Sequence, residues 1–463
     1  MNPAQRRFVT VVVAVAVFWL PRSALAHGIG GRQDLPVPVE FFIAGAAVVL
    51  VVTFVALSVL WPSPRLQETP KPRTFRGPWI GPLFWLGGLL GVASLVLVIL
   101  TGLFGAPNPT RNPTPVIVFV AFWLVVPFVS GLVGDIYPII DPWRRLARWS
   151  GADPATNRGR KGYAYIPAAV AFFGFTWLEL VAPDAGPRNL AIAAVAYTVY
   201  LLAAAAISGV SSMSTSFDAF ATYNHLLGSI GPVRFQSGAV AWRGWLRGLP
   251  HLEERRGLVA FVVLMIGTVT FDGMSGSLWW EETITTWSRS NLSAWFGLSR
   301  ATVDVLTGTL AMVLVVGAIG AGYWLACRIA AGHGRSGQTT GLVARRFAHT
   351  LVPIAFAYAV AHYFSLIVFE GQFLLSTISD PFGFGWDLFG TANRPINYTF
   401  ISPSAVWYSQ VAVIVAGHVG GVVLAHDRAL VDFPPATAVR SQFAMLVLMV
   451  VLTGLGLSIL AAG

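Results

Sequence analysis

A chain of 463 residues that is 55% hydrophobic and only 11% charged is too poor in charge for an ordinary soluble domain, where about 25% of residues are charged. Its net charge of +10 would suit a nucleic-acid partner, but the Lys and Arg residues fall almost wholly in short stretches between apolar runs, where they act as membrane-orientation signals. The single cysteine, Cys327, excludes an intrachain disulfide and thiolate zinc or iron–sulfur sites, leaving His, Asp and Glu as the protein ligands open to a metal.

The first element is a targeting segment. Arg6 and Arg7 precede an apolar run, Phe8–Leu20; Pro21 ends it, and Ala24-Leu25-Ala26 supplies an A-x-A cleavage site. The run is too short to span a bilayer and has the layout of a secretory signal, so residues 1–26 are expected to be removed and 27–463 to form a transmembrane helical domain. An uncleaved anchor is the alternative. Cleavage would make His27 the mature N-terminus, where an α-amine beside an imidazole suits copper(II).

Ten apolar runs follow that are long enough to span, which takes roughly 20 residues. They lie near Val39–Trp61, Pro82–Phe104, Thr114–Gly134, Tyr163–Ala182, Asn189–Gly209, Leu258–Trp280, Thr302–Cys327, Phe347–Phe369, Pro403–Ala425 and Gln442–Ala462. Helices are expected, because each backbone polar group in lipid must be satisfied within its own segment, and the period of two that barrel strands show is missing. The fold class read here is all-α, a polytopic bundle of about ten spans. With a cleaved signal the mature chain starts outside. Twenty-one Lys and Arg then fall in inside loops against 6 outside, with the same sign at every turn. Both mature ends are expected outside. Reporter fusions at Ser150 and Gly337 should read cytoplasmic and one at Phe384 external; one fusion on the wrong side would undo this orientation.

Two inside loops are longer. Asp135–Gly162 contains IYPIIDPWRRLARW, and Ser214–Gly257 contains FDAFATYNHLLGSI and RGWLRGLPHLEERR; both loops mix aromatics with Arg as short helices lying on a membrane surface would. The outside loop Gly371–Ser402 is rich in Gly, Pro, Phe and Trp, and reads either as a lid or as an interfacial aromatic belt.

Ionisable residues inside the spans carry the functional signal, since each costs a few kcal/mol in hydrocarbon unless it faces a bundle interior or a wet cavity. Helix rise turns position into depth. His362 is 15 residues from Phe347, Asp272 is 14 from Leu258 and Glu179 is 16 from Tyr163, which places all three about 21–24 Å from the inner boundary. Gln410 falls in the outer half of its span and Glu370 at the outer boundary. These residues are expected to share an outward-facing acidic cavity. His418 sits deeper; His349, His426 and Asp427 mark the inner boundary. Three chemistries fit such a set: a divalent metal (zinc, or manganese or iron where carboxylates dominate), a haem between histidines, which lacks a matching pair, and a proton or ion path. The metal ligands would be His362, Asp272 and Glu370, with His27 separate. No phosphate-binding Gly-rich loop and no G-x-S-x-G nucleophile motif is present.

Several stretches resemble a family of bacterial multi-pass membrane proteins known as fenitrothion hydrolase-like. They are AHGIGGRQDLPVP at 26–38, LVGDIYPIIDPW at 132–143, FDAFATYNHLLGSIGP at 217–232, TVTFDG at 268–273, AHTLVPIAFAYAVAHYFSLIVFEGQ at 348–372, DPFGFGWDLFGTA at 380–392 and GHVGGVVLAHDRAL at 417–430. The resemblance covers nearly the whole chain. It implies hydrolysis of an organophosphorus triester at its phosphoryl–aryloxy bond, in a bacterial inner membrane, and carries over no catalytic residue. The expectation is a membrane hydrolase of small apolar triesters, with a divalent metal as an optional aid, Asp272, His362 and Glu370 as ligands or base and Gln410 orienting the substrate. The alternative is a transporter or a metal- or haem-handling protein without hydrolytic activity.

Overall fold

The computed structural model describes residues 37–68, 73–151, 164–236, 239–334 and 338–462. The signal segment, its cut after Ala26 and the copper-binding expectation at His27 lie outside the described residues. In chain order the helices used below are α1 (Val39–Leu60), α2 (Ile80–Phe104), α3 (Pro113–Val133), α4 (Pro142–Trp149), α5 (Ile166–Leu180), α6 (Pro187–Ser208), α7 (Ala219–Gly228), α8 (Leu258–Ser275), α9 (Thr286–Phe296), α10 (Arg300–Ala331), α11 (Thr340–Phe347), α12 (Val352–Phe369), α13 (Phe373–Ser379), α14 (Pro403–Asp432) and α15 (Phe443–Ala462). Three short strands, β1 (Arg73–Phe75), β2 (Val233–Gln236) and β3 (Ala239–Trp242), pair antiparallel in the order β1-β3-β2.

The chain is an all-α polytopic bundle: among the described residues nine helices are long and apolar enough to cross a membrane. They coincide with nine of the ten apolar runs. The tenth run is α5, with only 15 residues. At 1.5 Å per residue it is about 22 Å long, short of a hydrocarbon core of roughly 30 Å. Prolines limit it on both sides. Pro167 is tolerated in the first turn, and Pro183 biases the residue before it away from helix. Two further prolines fall where the helix type changes. The stretch of α3 before Pro127 is wound as a π-helix, Val116–Val125, and Pro353 follows the 3-10 turn Ala348–Leu351 that opens α12. A residue without an N–H, whose ring crowds the carbonyl four back, is accommodated by such a change of winding.

The described residues divide into two compact units: those within Met1–Gln67, Met265–His362 and Ser402–Gly463, and those within Glu68–Leu264 and Tyr363–Ile401. In the first, Ala46, Ala361, Ile414 and Leu457 form a core between α1, α12, α14 and α15, flanked by Phe42, Ile43 and Val411. Close approach is set by small residues. A Cβ on Gly417 would lie 2.3 Å from the Ala357 Cβ and 2.6 Å from the Pro353 carbonyl oxygen, and one on Gly421 2.9 Å from the Thr350 oxygen. Gly417 and Gly421 thus form a G-x-x-x-G face on α14, the first against Pro353 and Ala357 of α12 and the second against Thr350 and Ile354. Gly417→Val is expected to cost about 2 kcal/mol or more by overpacking, read as a lower melting temperature in detergent. Gly420→Ala, whose added carbon meets only the Pro353 side chain at 3.5 Å, should melt near the parent; equal melting of all three proteins would remove this account of the contact.

The C-terminal half of α14 is clasped by polar contacts. Asp427 is fully buried, and its carboxylate accepts hydrogen bonds from Trp61 Nε1 (3.1 Å), the backbone N–H of Arg65 (2.6 Å) and of Leu66 (3.2 Å), and Gln67 Nε2 (2.9 Å). The neighbouring His426 bridges the Trp61 carbonyl (3.0 Å) and Gln442 Oε1 (3.1 Å). These two residues tie the chain after α1, and the start of α15, to α14.

In the second unit the two long loops pack into the protein to different degrees. α4 keeps the amphipathic pattern, but eight of the ten residues of α7 are buried. The reason is a buried cap. Asp218 Oδ1 accepts from the backbone N–H of Phe220 (2.9 Å) and Ala221 (3.1 Å) and from Tyr197 Oη (2.9 Å), while Oδ2 accepts from Tyr137 Oη (3.2 Å). Every donor is supplied from within the unit, so the carboxylate is held at 0% exposure. The two loops also meet through glycines. Gly134 has φ +143°, and a Cβ there would lie 1.9 Å from the Val233 carbonyl oxygen; a Cβ on Gly228 would run into Asp135. The segments LVGDIYPIIDPW and FDAFATYNHLLGSIGP are therefore one packed body.

Candidate functional site

α8 and α12 are apolar helices, and each carries one ionisable residue near its C-terminal half. Asp272 and His362 meet: His362 Nε2 lies 2.9 Å from Asp272 Oδ2, with the two side chains 24% and 23% exposed. The equal depths inferred from helix rise are met by a direct hydrogen bond. A carboxylate beside Nε2 accepts its N–H, which fixes the tautomer and leaves Nδ1 as the basic nitrogen. Gly273 lies beside that edge: a Cβ there would come 3.4 Å from Nδ1 and from Cε1 of His362 and 2.2 Å from Ile459 Cγ2. A larger residue would crowd the ring.

Gln410 joins this neighbourhood through the backbone. Its Nε2 donates to the carbonyl of Ala361, the residue before His362, at 2.8 Å. It is 5% exposed, and its Oε1 has no partner. Gln410 belongs to a stripe that sequence reasoning did not assemble. Trp407, Gln410, Ile414 and His418 follow one another at spacings of three, four and four, one face of α14. All are buried, and three of them hold a polar atom without a partner: Trp407 Nε1, Gln410 Oε1 and His418 Nε2. His418 Nδ1 faces the Ile414 carbonyl at 2.8 Å, so Nε2 is the bare acceptor. The Tyr358 ring packs 5.8 Å from it. The signal was present in the spacing; it was hidden because Trp and Gln carry no charge and the ionisable residues were read one at a time.

The other expected site residues stand elsewhere. Glu370 opens the 3-10 turn Glu370–Gln372 after α12 and is half-buried. Glu179 is half-buried on α5. Both belong to the second unit, so the unit that holds the Asp272–His362 pair supplies Gln410 but neither glutamate. Among the described residues no three His, Cys, Asp or Glu side chains are grouped to hold a metal ion. A pair of ligands falls short of the three that a catalytic zinc site takes from its protein, so His362, Asp272 and Glu370 do not make the expected donor set there. What the pair can do by itself is accept and pass protons. His349 is buried at the start of α12, with Nδ1 2.8 Å from the Arg346 carbonyl.

No family model, no curated protein and no solved structure matches this chain.

Proposed function

We propose that this chain is an integral membrane hydrolase of apolar phosphotriesters, of the fenitrothion hydrolase-like kind that its sequence resembles, in a bacterial inner membrane. The observation that carries the chemistry is the hydrogen bond between Asp272 and His362, half-buried and formed by two spans. Asp272 accepts the Nε2 proton and orients the ring. His362 Nδ1 takes a proton from a water molecule as the water oxygen attacks phosphorus, the phosphoryl–aryloxy bond breaks and the aryloxide leaves with the electron pair. The proton then passes from His362 to solvent. Gln410 acts on the backbone next to His362 and is a positioning residue in this reading. A membrane-embedded site suits a substrate that partitions into lipid, and the resemblance supplies the substrate class.

A second reading is favoured by one observation, the row of partnerless buried atoms at Trp407, Gln410 and His418. Buried polar atoms of this kind are commonly satisfied by ordered water. Water along that row would let His418 and His362 relay protons, as in a proton-coupled transporter. The purified chain in lipid vesicles separates the two. Release of 4-nitrophenolate from a dialkyl 4-nitrophenyl phosphate, above the rate in empty vesicles, supports the hydrolase. Proton flux reported by an enclosed pH dye, with no such release, supports the relay and overturns the hydrolase.

A further inference from the structure

The packed loops of the second unit enclose a cavity that neither reading uses. Its volume is about 530 Å3, and five arginines line it: Arg144, Arg234, Arg243, Arg247 and Arg255. Three acidic residues also line it, and each is already engaged. Glu253 pairs with Arg255, Asp135 lies 3.6 Å from His225, and Asp141 caps α4 by accepting from the Arg144 backbone N–H at 2.9 Å. Asp141 is also raised above the ordinary carboxylate range, first by burial and then by the Asp218 charge, so it offers the arginines less than a full counter-charge.

The basic groups press on one another. Burial, then the Arg148 charge, disfavours the charged form of Arg144; burial, then Arg234, does the same to Arg243. His251, on the same wall, is lowered by burial and by Arg243. Arg243 is held in place by the carbonyls of Gly231 (3.1 Å) and Gly228 (2.5 Å), so its position is built rather than loose. Three buried polar atoms on the cavity wall have no partner: Arg144 Nε, Thr222 Oγ1 and Ser214 Oγ. Thr222 is 2% exposed. Asp135 and Asp141 offset part of the positive charge at Arg144 and Asp135 part of it at Arg243, but five arginines face three carboxyls, and buried polar atoms without partners beside that excess are what an oxyanion would satisfy.

We infer that this cavity binds a phosphate-type oxyanion, held by Arg144 and Arg247 and by the hydroxyls of Thr222 and Ser214. The phosphate can belong to a soluble phosphate ester or to an anionic lipid headgroup. The second source has an apolar surface at hand. Residues 140–144 alternate between two walls: Asp141 and Arg144 face the cavity, while Ile140, Pro142 and Trp143 line an apolar groove of about 770 Å3 between α2, α3, α5 and α6.

Thermal melting of the purified chain in a neutral detergent tests this, with inorganic phosphate, glycerol 3-phosphate, short-chain phosphatidylglycerol and short-chain phosphatidylcholine as separate probes. A rise in melting temperature with phosphate or glycerol 3-phosphate identifies a soluble ester. A rise confined to phosphatidylglycerol identifies a headgroup. In either case Arg144→Gln with Arg247→Gln should weaken the apparent affinity about tenfold or more, as loss of charge-assisted hydrogen bonds does. Thr222→Val, nearly the same shape, should weaken it by a smaller factor, and it guards against misfolding of the arginine variant. Arg300→Gln, at an exposed position in the first unit, should change nothing. No response to any anionic probe, a response equal to phosphatidylcholine, or one that Thr222→Val and the arginine variant both leave intact overturns the assignment.

Discussion

His362→Ala is expected to lower phosphotriester hydrolysis by about 10²–10⁴-fold, the usual contribution of a positioned general base. Asp272→Asn should come close to it. An amide in place of the carboxylate can present its NH2 to the ring, favour the wrong tautomer and put a proton on Nδ1, where the reaction needs a lone pair. Both variants should accumulate, because the two side chains are about a quarter exposed. Gln410→Leu should lose less, since it acts through the Ala361 carbonyl rather than on the substrate. Its loss should appear in kcat rather than in KM, as expected of a group that positions the base without touching the substrate. Full activity in both His362→Ala and Asp272→Asn would sink the base assignment. Failure of both to accumulate would instead make the pair an interhelical contact.

The bundle was legible because a membrane span leaves little freedom. Long apolar runs, basic loops and the cost of bare backbone in lipid lead to helices, and nine of the runs are helices of spanning length among the described residues. The Asp272–His362 contact was legible for the same reason: two costly groups at equal depth have cause to meet. Depth, however, says nothing about azimuth or about which helices are neighbours. Glu179 and Glu370 fell at suitable depths in the sequence, yet they belong to the other unit. The burial of α7 was not legible, because the partners that satisfy its cap Asp218 and its Asn224, namely Tyr137, Tyr197 and Ser130, come from segments 21 to 94 residues away. Only three-dimensional packing supplies them. The same limit hid the arginine-lined cavity, whose charges were read from sequence purely as orientation signals.

Asp427→Ala is expected to be the most damaging single change to the fold itself. The carboxylate is fully buried and is the acceptor for Trp61 Nε1, the N–H groups of Arg65 and Leu66 and the Gln67 amide. Removing it leaves these donors without their acceptor, the Leu66 N–H in a buried contact and the other three in half-buried ones. Each buried unsatisfied donor costs about 1–3 kcal/mol, so the sum should reach about 3–5 kcal/mol even if some donors find water as the chain relaxes. That is a large share of the roughly 5–15 kcal/mol by which folded domains are stable. Asp427→Asn keeps one acceptor oxygen and sets an NH2 against the remaining donors, so it should fall between the parent and Ala. Accumulation in membranes and melting in detergent should rank parent, Asn and Ala in that order. The ranking also separates anchorage from chemistry. An Asp427→Ala protein that accumulates and melts like the parent but has lost activity would move Asp427 from the clasp to the reaction. A clasp predicts instead that the surviving folded fraction keeps its specific activity, because the Asp272–His362 pair lies on α8 and α12 and takes none of its hydrogen bond from Asp427.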